Sequence, residues 1–334
     1  MLGSAPKLVS MSIPSPYAAR SALMPATERV LTVRGSETHL WEYGDPDSDT
    51  VLLIVHGYRG EHHGLEPVVV QLEGLRILSP DLPGFGVSTP LLEGEHDIAG
   101  YVAWLHELTG RMRDEVGRDR RFVIVGHSFG SIVVSAALAE GLDVDAAVLI
   151  NPIAAPALKG PRGVMTHGAI VYYQIAAALP ERAGFALLAN PLIVRVMSET
   201  MAKTKDRALR RWIHDQHDRY FSAFANRTVV LDAFRASVSH DVSEYADRIT
   251  VPTLMIAADR DDITPIEAEH AVAATIPDAE LVVLHGVGHL IHYERPVEAA
   301  RAIRSFLARL DDGTVAERID STDSTADDGA IATS

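Results

Sequence analysis

The chain has 334 residues, a formal net charge of −15, 47% hydrophobic and 22% charged residues, and no cysteine. Its length allows one large domain or a domain carrying an insertion, and the lack of cysteine excludes disulfides, thiolate chemistry and cysteine metal sites. The acidic balance argues against nucleic acid or an anionic membrane surface as the main partner, and no stretch approaches the ~18 consecutive apolar residues of a membrane span.

Residues 1–27 hold a single lysine and a few apolar residues interrupted by prolines. They are expected to form a flexible arm without a targeting signal, which makes a cytoplasmic protein the expectation. Arg29 to Val33 and Thr38 to Tyr43 alternate around Arg34-Gly35-Ser36 and predict an antiparallel hairpin. Val51 to Val55 reads as a buried strand running into His56-Gly57-Tyr58-Arg59-Gly60. A helix is expected over Pro67 to Leu72, with Pro67 in its first turn, and a short strand over Arg76 to Leu78. Asp97 to Val116 carries a helical stripe with Asp97 as its cap. Phe122 to Val125 and Ala146 to Ile150 are further buried strands.

Strands alternating with amphipathic helices imply a parallel sheet covered on both faces. The pattern breaks at Asn151-Pro152. Helical stretches then run to about Ile249, over Ala169 to Leu179, Phe185 to Met201, Lys205 to Phe224 and Val229 to Ser237. Strand logic returns at Thr253 to Ala258 and Glu280 to Leu284, with helices at Pro265 to Ala274 and Arg295 to Leu310. The expected organisation is a core over residues 28–151 and 250–310, a helical insertion over 152–249, and a disordered acidic tail over 311–334.

Chemistry concentrates at Gly126-His127-Ser128-Phe129-Gly130. A G-x-S-x-G between a strand and a helix is a nucleophile elbow, a strained turn that projects a serine hydroxyl clear of the sheet. A serine needs a base to take its proton and a third group to orient that base. In this architecture acid and base follow the serine in chain order. Asp259, Asp261 and Asp262 follow one predicted strand, and His285, His289 and His292 follow the next. The backbone N–H of Phe129 is one candidate donor for an oxyanion.

These motifs, with His56-Gly57, Asp81-Leu82-Pro83-Gly84-Phe85-Gly86-Val87-Ser88, the D-x-I-x-P loop and Gly286-Val287-Gly288-His289, resemble the α/β-hydrolase fold superfamily of the kind with a helical cap. The resemblance covers about Arg29 to Leu310. It implies a mostly parallel, eight-stranded sheet with helices on both faces and an inserted all-helical cap. It also implies Ser128 as nucleophile, His289 as base and Asp261 as acid, with Ala258 standing where a glycine is usual; Asp259 is the rival acid. The second oxyanion N–H would be that of Tyr58.

Among cap aromatics, Tyr172, Tyr173 and Trp212 are candidates to meet substrate. Arg59 is expected to be solvated, and His62 and His63 to order the oxyanion loop rather than bind a metal. The expectation is a serine hydrolase of a small to medium, largely apolar carboxylic ester or lactone, without cofactor. Carbon–carbon bond hydrolysis, with Arg195, Arg211 or Trp212 aimed at substrate, and a non-catalytic ligand-binding role are the alternatives.

Overall fold

The computed structural model describes residues 13–156 and 163–312. The acidic tail lies outside the described residues, apart from its first positions. Eight strands form one sheet: β1 (Thr27–Val33), β2 (Ser36–Gly44), β3 (Thr50–Val55), β4 (Arg76–Pro80), β5 (Arg121–His127), β6 (Ala146–Ile150), β7 (Thr253–Ala258) and β8 (Ala279–Leu284). Their spatial order is β1-β2-β4-β3-β5-β6-β7-β8. The β1–β2 hairpin joins the sheet antiparallel to β4, and every later pairing is parallel.

Strands β3 to β7 are buried almost throughout, as continuous Val, Ile and Leu runs require when both faces of a sheet are covered. The helices are α1 (Ala18–Leu23), α2 (His62–Val69), α3 (Ile98–Val116), α4 (Phe129–Ala139), α5 (Gly163–Ala178), α6 (Glu181–Leu188), α7 (Pro191–Met201), α8 (Arg207–Tyr220), α9 (Arg227–Ser239), α10 (Ile266–Thr275), α11 (Ile291–Glu294) and α12 (Pro296–Asp312). Asp97 caps α3 by accepting from Gly100 N at 2.8 Å. Helices α5 to α9 all fall between β6 and β7. The expected helix over Phe185 to Met201 is two, because Pro191 opens α7 behind the Asn190 cap.

Two other differences have physical causes. Helix α2 begins at His62, so Pro67 lies inside it rather than in the first turn. Its first amide is capped from a distant segment, His62 N donating to Asp81 Oδ1 at 2.9 Å. The described part of the expected arm holds α1, and Tyr17 anchors it. The Tyr17 ring meets Trp212 edge-on and its hydroxyl donates to the Tyr293 carbonyl at 2.9 Å. Among the described residues, no helix is long and apolar enough to cross a membrane.

The cap is joined to the core by backbone as well as side chains. Phe85 and Phe224 form an antiparallel bridge. Gly86 N donates to Ala223 O at 2.8 Å and Ala225 N to Gly84 O at 2.9 Å.

Candidate active site

Ser128 follows the central strand β5, Asp261 follows β7, and His289 follows β8, so parallel topology delivers all three to one sheet edge. Ser128 sits at φ +54°, a left-handed conformation that L residues seldom adopt. The turn is held by Ser128 N donating to Ile150 O at 3.1 Å and Ser131 N to Ser128 O at 2.8 Å. Two glycines permit it. A Cβ on Gly57 would stand 3.0 Å from that of Ser128, and one on Gly130 would overlap the carbonyls of Val55 and His56.

Ser128 Oγ lies 2.7 Å from His289 Nε2. On the other side of the ring, His289 Nδ1 donates to Asp261 Oδ2 at 2.7 Å. An ionised carboxylate only accepts, so this contact assigns the proton to Nδ1 and leaves Nε2 to receive the serine proton. Asp261 is also held by Ile263 N at 2.8 Å and Asn151 Nδ2 at 3.1 Å. Asp259 is engaged elsewhere, with Gly286 N at 2.7 Å and His285 Nδ1 at 3.2 Å. The geometry therefore brings Ser128, His289 and Asp261 together and leaves Asp259 and His285 out.

Asn151, which the sequence marks only as the break between strand and helical insertion, takes part in the site. It is fully buried at φ +44°, and it bonds Asp261 and, through Oδ1, Ile291 N at 3.3 Å. The signal was its position at the end of β6, beside the acid loop.

Beside the serine is a cavity of about 570 Å³. Tyr58 and Phe129 line it next to Ser128. The Phe129 amide is the first of α4, so it has no carbonyl one turn back to bond. Tyr172 and Tyr173 line the cavity too, but Trp212 does not: it packs between Tyr17 and Tyr293. Arg195 pairs with Asp218, and Arg211 Nε donates to Arg207 O at 3.2 Å, so neither points at the serine.

Arg59 corrects the expectation of a solvated side chain. It is 1% exposed, at φ +58°. Its guanidinium donates to Leu188 O at 2.8 Å, Phe221 O at 3.0 Å and Tyr173 Oη at 3.3 Å. It also stacks over Phe221, 4.8 Å from the ring centre. The loop after β3 thereby enters the cap, where carbonyl oxygens at helix ends take the place of water. Tyr58 does likewise, its hydroxyl donating to Val230 O at 2.9 Å.

His62 Nδ1 meets Asp81 Oδ1 at 3.0 Å and His63 Nδ1 meets Glu61 Oε2 at 2.6 Å. Glu61, His62 and His63 are the group among the described residues whose donor atoms lie close enough to share a metal ion. His62 Nδ1, His63 Nδ1 and Glu61 Oε2 already serve hydrogen bonds at the start of α2, while Glu61 Oε1 has no partner among the described residues.

The sequence model of the alpha/beta hydrolase family matches residues 52–302. Lipase 1 of Psychrobacter immobilis is 27% identical over 267 residues, covering 77% of both chains. Monoacylglycerol lipase abhd6-A of Xenopus laevis is 23% identical, over 80% of this chain and 78% of its own. Among solved structures, an esterase from Exiguobacterium antarcticum superimposes with a TM-score of 0.67 at 17% identity, over 85% of this chain and all of that one.

Proposed function

This chain belongs to the alpha/beta hydrolase family, and from that premise we propose that it is a serine hydrolase cleaving carboxylic esters through an acyl-enzyme on Ser128. The observation that carries the reading is the continuous line of hydrogen bonds from Ser128 Oγ through His289 to Asp261. Ser128 Oγ attacks the ester carbonyl carbon while His289 Nε2 takes its proton. The carbonyl oxygen, now an anion, is held by the amides of Phe129 and Tyr58. His289 passes the proton to the departing alkoxide, releasing an alcohol. Water then attacks the acyl-serine, its proton travels by way of His289 back to Ser128, and the acid leaves. Asp261 orients the imidazole and stabilises the imidazolium formed in each half.

The relatives named lipase and monoacylglycerol lipase support ester chemistry over carbon–carbon cleavage. So does the placement of Arg195, Arg211 and Trp212 away from the cavity lining. The largely aromatic and aliphatic lining supports an apolar acyl group of small to medium size.

The test is hydrolysis of a p-nitrophenyl ester series from acetate upward by wild type and Ser128→Ala. Turnover should pass through a chain-length optimum and fall on the order of 10⁴-fold or more in the variant. Activity that survives Ser128→Ala would sink the proposal.

A further inference from the structure

We propose that the wall of the cavity built from His217, His292 and Tyr293 is a binding subsite for an uncharged, hydroxyl-bearing alcohol group, so that the preferred substrates are monoesters of polyols. This rests on the ester-hydrolase reading and specifies which alcohol leaves.

Two walls diverge from the nucleophile. After Ser128, the Phe129 ring meets Tyr58 at 6.5 Å, and Tyr58 meets Tyr173 and Phe234, which stack at 3.7 Å. Every hydroxyl on this wall is occupied: Tyr58 by Val230 O, Tyr172 by Leu187 O, and Tyr173 by Arg59. What remains for a ligand is hydrocarbon, which suits an acyl chain.

Before Ser128, the contacts run the other way. His127 meets His292 at 4.3 Å, His292 meets Tyr293 at 4.2 Å, and Tyr293 meets His217 at 5.6 Å. His217, His292 and Tyr293 line the cavity and are each 6% exposed or less. Each keeps a polar atom with no partner among the described residues. His217 uses Nδ1 on Ser198 Oγ at 2.7 Å, leaving Nε2. Neither the His292 ring nor the Tyr293 hydroxyl has a hydrogen-bond partner among the described residues. His292 Nδ1 is sealed from solvent without a partner, which is costly, and the Tyr293 hydroxyl and His217 Nε2 are the atoms left for a ligand.

The wall also fixes the ligand's charge. Burial and neighbouring histidines keep both imidazoles below their ordinary range, so they act as neutral donors or acceptors. Arg59 is the cation among the lining residues, and its guanidinium is committed to the cap. Two acidic residues, Glu61 and Asp262, also line the cavity, and Glu61 has one oxygen unbonded. A phosphate is therefore unwelcome, and neutral hydroxyls fit.

The test compares octanoate esters of glycerol, methanol and choline, with Tyr293→Phe beside wild type. Wild type should turn over the glyceryl ester with a kcat/KM roughly ten-fold above the methyl ester, and Tyr293→Phe should shrink that ratio roughly three- to ten-fold. A ratio near one in wild type, an equal loss on both esters in Tyr293→Phe, or a preference for the choline ester would each overturn the subsite while leaving the hydrolase intact. Absence of Ser128-dependent turnover on all three would overturn the hydrolase reading itself, and the subsite with it.

Discussion

At Asp261 the choice between neighbouring carboxylates comes down to two residues of sequence. Asp261→Asn should lower kcat by about 10⁴-fold if its carboxylate fixes the His289 tautomer. Asp259→Asn, which releases only the His285 turn, should cost under about ten-fold. Steady-state kinetics on one ester separates the two outcomes. Ser128 and His289 were legible because the G-x-S-x-G and G-x-G-H turns place them by local geometry alone. Arg59 was not legible. An arginine in a Gly-rich loop reads as solvated, and its burial depends on carbonyls of Leu188 and Phe221, more than a hundred residues away. Arg59→Met should lower stability by about 3 kcal/mol or more, since it leaves those carbonyls buried without a donor. Arg59→Lys should fail to restore it, because one ammonium cannot reach acceptors spread around a planar fork. Urea unfolding of the three proteins measures both effects.

At the scale of elements, strands were the most legible part. Thr253 to Ala258 is an unbroken apolar run with a hard edge on each side, and β7 has those bounds. Helix α2 was misplaced for the opposite reason. Its start is stabilised by Asp81, an acceptor brought in by tertiary structure, and no capping residue marks His62 in the sequence. The elbow lies between these cases, since its motif is local but its tolerance is set by packing. Gly130→Ala would drive a methyl into the carbonyls that end β3. We expect a loss of about 1–3 kcal/mol in thermal unfolding, with a fall in kcat because α4 and its first amide would shift together.

Over the whole molecule, titration sets the range in which the fold survives. His127, His217 and His292 are held below the ordinary histidine value of 6.5, first by burial and then by neighbouring histidines, His217 down to about 3. An unfolded chain takes up these protons as the pH falls through about 6.5 and the folded chain does not. The stability they contribute is therefore present above about pH 6.5 and lost as the pH falls through each folded value, that of His217 lying at about 3. Melting temperatures between pH 7 and pH 4 should fall steeply. Glu269 acts in the other direction. Burial, with the Asp261 charge, raises its carboxyl well above the usual range. Its contribution is present below about pH 4.5 and lost as the pH rises through its folded value, so Glu269→Gln should raise the melting temperature more at pH 8 than at pH 5. The bridge between Phe85 and Phe224 bears on how molecules come and go. The cover is stitched to its base along this seam by backbone hydrogen bonds and by a buried arginine, and lifting it there would break all of these contacts. Molecules bound for the serine should therefore pass where the cover is not sewn down, and breadth becomes a filter that acts before the chemistry begins.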